Sequence, residues 1–108
     1  MAGFILAAAG IAAAIGGAEP EALDPVGKLA DAIALTRSCP SVVLNRDIIA
    51  MAMTRAGISL GPIAGEIGKR SQSMALAYVH LGRDEVCAIA RQRYGAAGQS
   101  AAGFLAER

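Results

Sequence analysis

Charged and apolar positions divide this chain into two unequal parts. From Met1 to Ala18 no charged side chain occurs, and every Lys, Arg, Asp and Glu lies from Glu19 onward. Beyond that point the pattern becomes amphipathic at helical spacing. Asp24-Pro25 supplies an N-cap followed by a proline at the first helical position, and Val26, Leu29, Ala30 and Ile33 recur along one face. The spacing predicts a helix over 25–37. Pro40 interrupts it and Ser41 is placed to cap the next. In the run from Val42 to Ala56, Leu44, Ile48, Met51 and Ala52 share one stripe, with Val42, Ile49, Met53 and Ala56 beside it. So wide an apolar face predicts a central helix packed on more than one neighbour, and Gly57 ends it.

The middle reads less simply. Gly57, Gly61, Gly65 and Gly68 weaken helical propensity, whereas Leu60, Ile63 and Ile67 call for burial. Pro62 opens a short helix over 62–70. Ser73 caps another over 74–81, stopped by Gly82, and Asp84 caps a last one over 85–94, stopped by Gly95. In that last helix Val86, Ile89 and Ala90 face one way, with Cys87 and Tyr94 on a flank. No period-two alternation appears, so no strand is predicted. The expected fold is all-α, a small bundle of four or five short helices. It comprises an acidic lead over 19–24, a helical domain over 25–95, and a flexible small-residue tail over 96–108 whose Phe104-Leu105 pair can dock back.

The uncharged first segment changes where this bundle is expected to work. It has no polar face at any period, so water is not its final solvent. A membrane span takes roughly 20 apolar residues, and this stretch is slightly short and built of Ala and Gly. The apolar run Phe4–Ile15 has the length of a signal-peptide core, and Gly16-Gly17-Ala18 offers small residues at the cleavage positions. No Lys or Arg precedes the run. Residues 1–18 therefore read as a signal peptide, with a retained N-terminal anchor and a buried core helix as the alternatives. An exported protein with two cysteines, Cys39 and Cys87, is expected to join them in one disulfide. The alternative is two buried thiols in a cytosolic protein. No C-x-x-C supports thiol redox chemistry.

Candidate chemistry is sparse. Gly57-Ile58-Ser59-Leu60-Gly61 is a literal G-x-S-x-G, but that motif needs a strand-to-helix turn, and the preceding element reads as a helix. Gly57, Gly61 and Gly65 at four-residue spacing would permit close approach of two helices; a plain turn region is the simpler reading. His80, Asp84 and Cys87 would align as metal ligands on an unbroken helix, yet Gly82 interrupts it and the disulfide removes the thiolate. His80 fits better as a helix-end residue beside C-terminal carbonyls. Asp84-Glu85 suits a helix N-terminus, and no second carboxylate cluster supports acid/base catalysis. Arg83, Arg91 and Arg93 make the C-terminal end mildly basic, but the net charge is +1 and only 4% of residues are aromatic, which gives a nucleic-acid partner no footing. No metal or cofactor is expected.

The spacing of Cys39 and Cys87 within a small helical exported chain resembles the layout of the HdeA-type periplasmic acid chaperones. The likeness covers that spacing alone, carries no site with it, and implies only that such a layout can serve a binding role. The functional expectation is a periplasmic or envelope protein that binds another protein, as an inhibitor, chaperone-like or accessory factor, through Ile58, Leu60, Ile63 and Ile67 on the glycine-rich segment. The alternatives are an accessory subunit anchored by residues 1–18, the one case that involves the membrane, and a small enzyme or metal-binding protein centred on His80 or Ser59.

Overall fold

The structure, a computed structural model, describes residues 23–108, so the expected leader and nearly all of the acidic lead lie outside the described residues. Four helices and two short strands follow in the order α1 (Pro25–Ser38), β1 (Val42–Leu44), α2 (Arg46–Arg55), α3 (Leu60–Leu76), α4 (Arg83–Tyr94) and β2 (Leu105–Glu107). The bundle is mostly helical, as the pattern predicts. The antiparallel β1–β2 pair, in register Val42↔Glu107, Val43↔Ala106 and Leu44↔Leu105, makes all-α an approximation.

Helix α1 starts as its sequence dictates. The Asp24 side chain accepts from the Gly27 N–H at 2.6 Å, and Pro25 occupies the first turn, where its missing N–H costs nothing. It is also the central element, packing on α3 and α4 and touching β1 and α2. Ala30, Ala32, Ala34 and Leu35 are fully buried around its circumference, because alanine lets neighbouring elements come close on several sides. The wide apolar stripe of 42–56 pointed instead to α2 as the centre. That helix is shorter than expected and buries only Ile49 and Met53.

The shortening has a local cause. Val42-Val43-Leu44 are β-branched or bulky residues suited to a strand, and Asn45 caps α2 by accepting from the Ile48 N–H at 3.3 Å. The strand forms because it has a partner that is distant in sequence. The Asn45 N–H donates to the Phe104 carbonyl at 2.8 Å and the Arg108 N–H to the Ser41 carbonyl at 2.9 Å. The segment 96–108 is thus a closing clasp where a flexible tail was expected. Its turns cap the end of α4, with Gln99 N–H donating to the Gln92 carbonyl at 2.9 Å and Ser100 N–H to the Arg93 carbonyl at 3.0 Å. Phe104 and Leu105 do dock into the core.

Gly57 ends α2 in the left-handed conformation (φ 72°). Its N–H donates to the Thr54 carbonyl and the Ile58 N–H to the Met53 carbonyl, which is a Schellman motif. Helix α3 then runs unbroken for 17 residues where two helices were expected. Pro62 falls within its first turn and removes no helical hydrogen bond. Gly65 and Gly68 sit in its interior, and the helix is held by tertiary contacts: Ile67 and Ser71 are buried, and Arg37 Nη2 reaches Ser71 Oγ from α1 at 3.4 Å. A Cβ at Gly61, Gly65 or Gly68 would meet nothing within 4 Å among the described residues. Among the described helices, these glycines therefore mediate no close approach. At α4 the N-cap is Gly82, not Asp84, and Glu85 Oε1 accepts the Gly82 N–H at 3.3 Å while Asp84 lies in the first turn.

Candidate functional site

Three features qualify for a role beyond packing: a buried polar cluster, the cysteine corner, and an exposed apolar knuckle. The cluster joins three elements. Asp31, on α1 and almost fully buried, accepts from Tyr94 Oη of α4 at 2.6 Å, from Arg93 Nη1 at 3.1 Å, and from Tyr78 Oη of the α3–α4 turn. Arg93 Nη1 also donates to Tyr78 Oη at 2.7 Å. Both phenols are pushed well above their usual range, first by burial and then by the hydrogen bond to Asp31. Burial pulls against the charge on Arg93, but the neighbouring Tyr78 and Asp31 oxygens outweigh it and hold the guanidinium protonated. Donors and acceptors match, so the cluster is a self-satisfied tie between elements, with no group left over for chemistry. The sequence offers one signal of it: Asp31 interrupts the otherwise apolar run Leu29–Ala34 on a helix with no free face.

The cysteine corner matches the expected pairing. Cys39 and Cys87 Sγ lie 2.00 Å apart with Cα atoms at 5.2 Å, joining the end of α1 to α4. Both are buried. Ser41 Oγ lies 3.3 Å from Cys39 Sγ and also accepts from Arg91 Nη2 at 3.0 Å. Arg91 in turn makes a two-pronged pair with Glu107 of β2, at 2.9 and 3.1 Å. Disulfide, serine and ion pair thus tie α1, α4 and the β-clasp at one corner.

The residues expected to form an interface are placed differently from one another. Ile67 is core, and Ile58, Leu60 and Ile63 are half-buried and packed against it. Ile58 is drawn in by the Schellman turn, where the residue after the glycine commonly packs back on the helix. Leu60 and Ile67 wall a shallow groove of about 300 Å³ between α1 and α3, with Ile33 and Arg37 opposite. The large apolar side chains that face water are others: Leu76 and Val79 are 70% and 69% exposed, and Met51 50%. Leu76 ends α3 and Val79 lies on the following turn, on either side of Tyr78, which points inward to Asp31.

Ser59 sits at the helix–helix corner between α2 and α3, in N-cap position, so the G-x-S-x-G string forms no strand-to-helix elbow. His80 is exposed on the turn before α4. Among the described residues no three His, Cys, Asp or Glu side chains gather as metal ligands. No single helix there is long and apolar enough to cross a membrane.

These features define a class: a small, disulfide-linked helical domain closed by a two-stranded clasp. No family model, curated protein or solved structure matches the chain. The likeness to the HdeA-type chaperones accordingly extends no further than cysteine spacing.

Proposed function

We infer that this is a small exported helical protein that acts by binding another protein, as an inhibitor, chaperone-like or accessory factor. The observation that carries this reading is the Leu76–Val79 knuckle. Two large apolar side chains stand in water on a corner whose middle residue, Tyr78, is fastened into the core. Ordering a contact surface before binding lowers the entropic cost of association, and removing exposed apolar surface from water is the main driving force of most protein association. The bonded cysteine pair supports an oxidising compartment, and the uncharged segment 1–18 supports export. Ile58, Leu60 and Ile63, half-exposed near the other end of α3, offer a secondary contact face. His80 has no nucleophile or carboxylate hydrogen-bonded to it among the described residues, so the catalytic reading gains no support.

The test is crosslinking capture of envelope proteins by the wild type and by a Leu76→Ser, Val79→Ser double variant. Loss of the captured partner with an unchanged melting temperature supports the knuckle as the interface; undiminished capture removes it. Intact mass of the exported protein separates the free form from the anchored accessory subunit: a start at Glu19 excludes the anchor.

A further inference from the structure

A second surface, distant in sequence from the knuckle, has the makings of a small-molecule site. The N-terminal turn of α1, the face of α2 and the 100–104 turns enclose a half-open groove of about 420 Å³. That is the size range of small-ligand pockets, roughly 300–1,000 Å³. Its apolar surface comes from Ile48, Met51, Ala52, Ala101 and Phe104. Two cations, Lys28 and Arg55, line it, and among the described residues no carboxylate does. Lys28 Nζ is held there by donating to the Ser100 carbonyl at 2.9 Å, which leaves further N–H groups to offer. Arg55 makes no ion pair or side-chain hydrogen bond among the described residues. Ser100, on the groove wall, has a buried hydroxyl with no partner among the described residues, an arrangement that ordinarily has a cause. Among the large apolar residues of the groove only Met51 is widely exposed, and its flexible thioether adapts to differently shaped apolar ligands.

We propose that this groove binds an aliphatic carboxylate of medium chain length, the chain lying along Ile48, Met51, Ala52 and Phe104 and the carboxylate meeting Lys28 and Arg55. Charge complementarity selects the head and the apolar surface selects the tail, and neither alone suffices. The volume matches a small-ligand pocket, and the pairing of an apolar wall with two cations at its edge matches a small anionic amphiphile.

The test is a chemical-shift titration of the full chain with octanoate, with octanol as a tail-only probe and acetate as a head-only probe. Octanoate is expected to produce saturable shifts at Met51, Ala52, Ala101 and Phe104, and to bind at least about tenfold more tightly than either partial probe. Arg55→Gln, which removes no ion pair or side-chain hydrogen bond among the described residues, weakens octanoate about tenfold, and Lys28→Gln does the same. The proposal is overturned by the absence of saturable shifts in the groove, by octanol binding as well as octanoate, or by an unchanged affinity in Arg55→Gln. A trileucine peptide with a free C-terminal carboxylate binding there more tightly than octanoate would equally overturn it, in favour of a protein terminus.

Discussion

Asp31 is the residue whose environment departs furthest from what its chemistry prefers, since a carboxylate inside a helix bundle survives only where donors surround it. Here three side chains from two other segments supply them. Asp31→Ala would leave both phenols without their acceptor and the half-buried Arg93 without its counter-ion, with only Tyr78 Oη still accepting from it, a loss of about 3–5 kcal/mol, read as a lower denaturant midpoint; Asp31→Asn should recover part of it. The phenols give a second readout, because Tyr78 and Tyr94 are the chain's two tyrosines. Their pKa values in the fold are raised, so they stay protonated while those of the unfolded chain ionise at about 10. This contribution is complete below the unfolded value and falls as pH climbs above it, by about 2.7 kcal/mol per pH unit for two protons. In an alkaline titration, tyrosinate absorbance is expected to rise only together with the loss of helical circular dichroism. A phenol ionising in the usual range with the helices intact would contradict the cluster.

At the scale of elements, α3 is held by its neighbours in spite of its composition. Because nothing lies within 4 Å of a Cβ at Gly65 or Gly68, alanine at either position should stabilise by about 0.5–1 kcal/mol through lower unfolded-state entropy. A melting temperature that falls in Gly65→Ala would reveal a close contact on that face. The C-terminal clasp predicts the opposite sign. Phe104 is buried and stacks on Tyr94 with ring centroids 6.2 Å apart, and its backbone carbonyl accepts from Asn45. Phe104→Ala should cost about 3–5 kcal/mol and, in hydrogen exchange, expose the amides of 42–45 together with those of 105–108. Exchange of one segment without the other would mean that the strands are not mutually dependent.

For the molecule as a whole, the disulfide closes a loop of 48 positions, and in the chain-entropy model this constrains the unfolded state by about 4 kcal/mol. Cys39→Ala, Cys87→Ala should lower unfolding free energy by that order. Mass spectrometry under alkylating conditions should find no free thiol until reductant is added. The bond falls where the Arg91–Glu107 pair and Ser41 already meet, and Arg91 holds the Glu107 carboxyl below its usual range. That pair contributes above the unfolded carboxylate pKa and fades as pH falls through the lower folded value, leaving the covalent link to keep the corner closed.

Features that depend on neighbours along the chain can be read from the residues alone. The Asp24-Pro25 start of α1, the stop at Gly57, and the helical character of 25–38 and 83–94 are of this kind; the long-range pairing of Cys39 with Cys87 was legible for another reason, that the chain has only two cysteines. The tertiary structure decided whatever depends on a partner far along the chain. Residues 42–44 form a strand because 105–107 lies beside them, and α3 is one helix because burial of Ile67 and Ser71 outweighs its glycines. Ile58 and Ile67 turn inward while Leu76 and Val79, equally apolar, are left facing water. Local propensity amounts to tenths of a kcal/mol per residue, whereas burying a side chain contributes one to a few, by order of magnitude. Which apolar residues are buried is therefore settled by the packed molecule, and with it which of them are left facing water.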